Sequence, residues 1–121
     1  MRVCGIRGAT TVDEDRAELI LVETRQLLEE ILQANSDLRP EDIVSVLFTT
    51  TEDLVSAYPA LAARQMGWTA VPMMCAREIP VPGCLPRCVR VLIHWNTEGT
   101  QQTVRHVYLR EAVKLRPDLS V

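Results

Sequence analysis

The chain has 121 residues, a formal net charge of -3, and 47% apolar but only 4% aromatic residues. This fits a single aliphatic-cored domain, residues 1–121, able to bury about two thirds of its unfolded surface. The charge offers no electrostatic footprint for nucleic acid, no run of about 18 apolar residues offers a membrane span, and the first residues lack a signal-peptide apolar stretch, so a cytoplasmic protein is expected.

Residues 2–7 are expected to form a short strand ending at Gly8. Thr11 with Glu14 fits a capping box, and Asp13, Glu14 and Asp15 suit the positive end of a helix dipole. Ala17, Ile20, Leu21, Thr24, Leu27, Leu28, Ile31 and Leu32 recur at helical spacing, predicting one long amphipathic helix to about Ala34. Asn35-Ser36-Asp37 stops it, and Pro40 starts one short turn. Ile43–Thr50 is an unbroken apolar and β-branched run, hence a buried strand. Pro59 opens a second helix to Met66, which Gly67 ends. Thr69–Cys75 reads as a third strand, and Pro80, Pro82, Gly83 and Pro86 make a stiff loop. Cys88–Asn96 and Val104–Leu109 read as two strands around a polar connection holding Gly99, expected as a hairpin. The order β-α-β-α-β-β-β predicts an α/β (α+β) domain, a mixed β-sheet with one long helix and short helices. A sheet covered on one face tends to bury the other against a partner, so an oligomer is expected.

Cys4, Cys75, Cys84 and Cys88 fit a reducing compartment rather than a disulfide scaffold. Cys84 and Cys88 form neither a redox Cys-x-x-Cys nor half a zinc knuckle, and His94 and His106 stand singly, so no metal is expected. Neither a phosphate-cradling glycine motif nor Gly-x-Ser-x-Gly occurs, and no cofactor is expected.

The ionisable residues set among apolar neighbours carry more information. Val89, Val91, Ile93 and Trp95 alternate onto one face of a strand, leaving Arg90 on the other with Cys88, Leu92 and His94. A guanidinium half-sunk in a sheet needs an anionic partner, from the protein or from a ligand. Arg7 and Tyr108 add a second cation and a phenol, a set suited to a small polyanion. From position alone, an ion pair between Arg90 and Glu78 is an equal alternative. Taken singly, Arg7 is an exposed strand end, Glu78 a solvated carboxylate, Cys75 a small buried hydrophobe and Tyr108 a core filler. Tyr58 and Arg64 flank a helix start, where a surface role is the default.

Gly5-Ile6-Arg7-Gly8-Ala9-Thr10-Thr11, Cys75 through Glu78, Arg90 within its strand, Arg105-His106-Val107-Tyr108-Leu109 and Leu115-Arg116-Pro117-Asp118-Leu119 together resemble the small monofunctional chorismate mutases of the trimeric, β-rich class. The resemblance spans about Arg2 to Ser120, with spacing kept between blocks. It implies a homotrimer whose sheets pack into a pseudo-barrel, with active sites between subunits, and the Claisen rearrangement of chorismate to prephenate on the way to phenylalanine and tyrosine. It assigns Arg7, Cys75, Glu78, Arg90 and Tyr108 to one subunit, Tyr58 and Arg64 to its neighbour, and Leu115 and Arg116 to the mouth. Arg90 would face the ether oxygen, Arg7 would hold a carboxylate or help position Arg90 and Glu78, Tyr108 would bond the side-chain carboxylate, and Glu78 and Cys75 would meet the ring hydroxyl. Tyr58 stands where a Phe is familiar, and Leu61 where a Lys is familiar, which removes one cation near the mouth. Competing expectations are a non-catalytic trimeric carboxylate-binding module and a small trimeric imine-hydrolysing enzyme.

Overall fold

The computed structural model describes residues 1–115. The elements are β1 (Arg2–Thr11), α1 (Ala17–Ala34), β2 (Ile43–Thr50), α2 (Ala60–Gln65), β3 (Met73–Arg77), β4 (Cys88–Thr97) and β5 (Val107–Tyr108), with 3-10 turns at Pro40–Asp42, Gln101–Thr103 and Arg110–Lys114. They build one five-stranded mixed sheet in the order β3-β2-β4-β1-β5. β4 runs antiparallel to both β1 and β2, whereas β3 pairs parallel with β2 and β5 parallel with β1.

Register fixes which side chains share a face, because residues directly opposite one another project to the same side. Ile6 faces Ile93 and Gly8 faces Val91 on β1 and β4, while Val46 and Phe48 of β2 face the same two β4 residues. This face meets α1, whose Ile20, Leu27, Leu28 and Ile31 are fully buried at helical spacing. Burial of each such side chain contributes on the order of 1.5–3 kcal/mol. Ala60 and Ala63 of α2, with Trp68 just beyond it, join the same core. Gly8 is what lets α1 seat closely, since a Cβ there would lie 2.9 Å from Ile31 Cδ1 and 3.1 Å from Val91 Cγ1. Gly67, at φ 95°, closes α2 in the left-handed conformation that glycine adopts without strain.

The long helix, the strand at Ile43–Thr50, the turn at Pro40 and the alternation along β4 agree with the sequence expectations. Four details differ. β1 runs past Gly8 to Thr11, because β4 offers it partners as far as Cys88. The expected capping box does not form: Thr11 is in β1, the helix begins at Ala17 without a side-chain cap, and Asp15 instead accepts the Val55 and Ser56 N–H groups. The third strand spans Met73–Arg77 rather than Thr69–Cys75; Pro72 has no N–H to donate to a ladder and serves as an acceptor, its carbonyl taking the Val46 N–H. The hairpin of the last two strands is also absent. β4 already has β1 and β2 on its two edges, so the chain crosses to the outer edge of β1 and pairs parallel there.

Candidate active site

The sheet face turned away from α1 carries the polar set. One row crosses all five strands: Tyr108 faces Ala9, Ala9 faces Arg90, Arg90 faces Thr49 and Thr49 faces Ala76. Ala9 and Thr49 are small, so the long Arg90 side chain has space beside its neighbours. Arg7 stands in the next row, opposite Leu92, with Leu47 beyond. Arg7, Glu78, Arg90 and Tyr108 thereby line a single cleft of about 160 Å³, floored by Leu47, Thr49 and Leu92.

Glu78 follows β3 directly, and its N–H donates to the Thr50 carbonyl at 2.9 Å, carrying the β2–β3 pairing one residue further. Its Oε2 accepts the Thr49 hydroxyl and stands 3.7 Å from Arg90 Nε. That distance gives Coulomb attraction but exceeds hydrogen-bond range. Arg90 Nε is buried and has no hydrogen-bond partner among the described residues. A buried guanidinium N–H left unbonded costs free energy that a bound acceptor would recover. Cys88 shares this face beside Arg90. Burial pushes its thiol up to about 11, outweighing the Arg90 guanidinium, which acts in the other direction. The thiol is therefore neutral at ordinary pH and takes none of the charge of Arg90.

The other expected site residues fall elsewhere. Cys75 faces Phe48 across the β2–β3 ladder, which places it on the α1 side of the sheet, packed partly against the core. It lines a second cleft, about 380 Å³, with Tyr58, Pro59 and Arg77. Tyr58 is 73% exposed there, an unusual state for so large a side chain. Arg77 shapes this cleft by donating to Thr50 Oγ1 and to the Thr51 and Leu54 carbonyls. Arg64 lies in the last turn of α2, exposed and outside both clefts. Leu115 packs against the cluster of Ala9, Cys88, Tyr108 and Ala112 beside the Arg90 cleft, while Arg116 lies outside the described residues. Thr49, which fixes Glu78 and faces Arg90, has no counterpart in the sequence reading. The only available signal was its place in a run where Val46, Phe48 and Thr50 take the opposite face.

A guanidinium sunk into the open face of a mixed sheet, with a second arginine, a carboxylate and a phenol around it, defines a small α/β protein whose cleft is chemically suited to a compact anion. The sequence matches the chorismate mutase type I family over residues 3–119. Similar proteins include the chorismate mutase AroH of Thermus thermophilus, 60% identical over 117 residues that make up 97% of this chain and 96% of that protein. The chorismate mutase AroH of Bacillus subtilis (strain 168) is 48% identical over 122 residues, covering 100% of this chain and 95% of the other. Among solved structures, a chorismate mutase from Clostridium thermocellum superposes with a TM-score of 0.87 at 49% identity, over 89% of this chain and 96% of that one. The chain belongs to the chorismate mutase type I family.

Proposed function

We propose that this protein converts chorismate to prephenate, acting as an isomerase in aromatic amino acid biosynthesis. In this intramolecular rearrangement the ether C–O bond breaks as a C–C bond forms, and the ether oxygen gains negative charge on the way. No proton has to move and no covalent intermediate is needed. A catalyst has to hold the folded, reactive conformer and present positive charge at that oxygen. The observation that carries the reading is the buried, unbonded Nε of Arg90, flanked by Arg7, Glu78 and Tyr108. Arg90 faces the ether oxygen, Arg7 and Tyr108 hold carboxylates, and Glu78 accepts the ring hydroxyl. A bare anion-binding module would gain nothing from a carboxylate 3.7 Å from its guanidinium.

The complete site is proposed to lie between two subunits of a homotrimer. The Arg90 cleft, about 160 Å³, is roughly half the lower bound of about 300 Å³ for a small-molecule pocket, so further walls are needed. Tyr58 and Arg64 of a neighbouring subunit supply them in this reading, together with its Cys75, which the β2–β3 register puts on the α1 side of the sheet and so away from the Arg7, Glu78, Arg90 and Tyr108 set with which the resemblance groups it. The exposed Tyr58 ring and the placement of Cys75 beside it favour grouping these two, and the exposed Leu47 and Met74 on the open sheet face supply apolar surface for a partner. Leu115, packed beside Tyr108, stands at the mouth. The unpaired cysteines suit the reducing cytoplasm. Among the described residues no helix is long and apolar enough to cross a membrane.

Loss of chorismate absorbance on adding purified protein, with prephenate identified as the product, tests the activity. An inert protein that nonetheless binds chorismate would support the carboxylate-binding module instead.

A further inference from the structure

β1 carries Arg7, yet among the described residues its outer edge has only Val107 and Tyr108 as strand partners. Ahead of them, side chains complete the edge. The Gly5 N–H donates to Gln101 Oε1 at 2.9 Å, and Gln101 Nε2 donates back to the Gly5 carbonyl at 2.7 Å. This reciprocal pair reproduces the two bonds that a strand peptide would make. Two residues on, the Arg7 N–H donates to Nδ1 of His106 at 2.9 Å. At Ala9 the backbone takes over, its carbonyl accepting the Leu109 N–H at 2.9 Å.

His106 is itself placed by a buried amide. Asn35, at the end of α1, accepts the Arg105 N–H and donates to the Arg105 carbonyl, both at 2.9 Å. The same Asn35 amide donates to the Ile31 carbonyl at 3.0 Å, which ties this edge to the last turn of the helix. Among the described residues Arg7 is exposed and its guanidinium makes no ion pair, so its backbone is what fixes where the side chain starts and which way it leaves the sheet.

We infer that Gln101 and His106 are positioning residues for Arg7: they stand in for the missing strand along Gly5 to Arg7 and so hold the carboxylate-binding guanidinium at the cleft. The inference rests on the role of Arg7 proposed above. Acceptance at Nδ1 requires that nitrogen to carry no proton. An Asn at 106 can place Oδ1 near the position of Nδ1 and keep an acceptor, whereas Leu removes it. Arg7 binds a carboxylate present in both the ground state and the transition state, so displacing it weakens binding more than turnover.

The experiment compares His106→Leu, His106→Asn and Gln101→Ala by KM, kcat and hydrogen exchange of the Arg7 amide. His106→Leu is expected to raise KM about tenfold, the equivalent of one ordinary hydrogen bond, with kcat within about twofold of wild type. Exchange at the Arg7 amide should accelerate, and His106→Asn should largely restore both KM and protection. Gln101→Ala should move KM in the same direction by less. Should His106→Leu fail to fold, the Asn35-anchored edge remains testable through the other two variants. Wild-type KM with a protected Arg7 amide in His106→Leu or Gln101→Ala, or a fall in kcat at unchanged KM, would overturn the inference. If the wild-type protein does not act on chorismate, the mutase reading fails separately, and Arg7 amide exchange still decides whether His106 holds this backbone.

Discussion

Thr49 and Arg90 face each other across the β2–β4 ladder, and the Thr49 hydroxyl is donated to the same Glu78 oxygen that stands 3.7 Å from Arg90 Nε. The threonine thus occupies a lone pair of the carboxylate and holds it near the guanidinium without closing a tight ion pair. Charge on Arg90 stays available to a ligand, while Glu78 keeps acceptor capacity for a second donor.

Removing the charge from Arg90 is therefore the most direct test of the chemistry. Replacing Arg90 by citrulline keeps the shape and should cost at least about 3–4 kcal/mol of barrier, on the scale of losing one oxyanion donor. Chorismate binding should weaken less than turnover, because charge at the ether oxygen grows toward the transition state. Single-turnover rates and a binding isotherm for the same protein separate the two. Turnover within a few fold of wild type would remove Arg90 from the reacting centre.

Thr49→Val deletes the hydroxyl while preserving the β-branched shape that suits a strand. Glu78 is then free to close on Arg90 and compete with the substrate, so kcat/KM should fall by about tenfold, the scale of one net hydrogen bond. Thr49→Ser should recover most of it. Equal rates for Val and Ser would show that Glu78 is held by other means.

These relationships divide clearly into those readable from the sequence and those that depend on pairing. Helical spacing from Ala17 to Ala34 and alternation from Val89 to Trp95 are local patterns, so α1 and the face of Arg90 were legible. Thr49 beside Arg90 depends on the β2–β4 register, and Glu78 on the parallel β2–β3 ladder, both non-local. The hairpin expectation failed for the same reason: proximity in sequence says nothing of which edge is already occupied. Cys75 is different. It sits an odd number of residues from Glu78, and a period of two already separates their faces.

If each active site draws on two chains, inactive subunits of different kinds can complement each other. Arg7→Ala and Arg64→Ala proteins, each first shown to be impaired, should regain part of the wild-type rate when mixed under conditions of subunit exchange. Tyr58→Ala should behave like Arg64→Ala, and Glu78→Gln like Arg7→Ala, whereas two variants from the same group should not complement. Mixed oligomers proven by mass spectrometry but still inactive would place every site within one chain.

Because the proposed reaction moves no proton, the chemical rate should be nearly flat from about pH 7 to 9, where arginine stays charged and a carboxylate ionised. Cys75→Ser should retain much of the rate, and chelators should have no effect. A bell-shaped chemical rate, inactivation by EDTA, or a dead Cys75→Ser with intact fold would each point to acid–base, metal or thiol chemistry. Substrate binding and assembly are followed at each pH, so that loss of either is not mistaken for chemistry.

Stability should fall at both ends of the pH scale, for opposite reasons. Burial pushes the Asp15 carboxyl up, but hydrogen bonds from Val55 and Ser56 and the charge of Arg77 together hold it below its ordinary value of 3.8. A depressed carboxyl contributes stability that is present above the unfolded value and is lost as pH falls through the lower folded one. The tether of the 55–56 loop, and with it the approach to Tyr58, should therefore persist at mildly acidic pH and fail only under stronger acid. Cys88 runs the other way. Its thiol ordinarily ionises near 9.0, but burial raises it to about 11 in the folded protein. The unfolded chain gains the thiolate first, so folding stability should decline as pH rises from about 9 toward 11. Urea melts across the pH range for wild type, Asp15→Asn and Cys88→Ala check both limbs. Asp15→Asn should lessen the acid limb, part of which remains because Lys114 also holds the Glu111 carboxyl below its ordinary value, and Cys88→Ala should flatten the alkaline one, each leaving the other unchanged. An alkaline decline that survives in Cys88→Ala would assign that limb to another group.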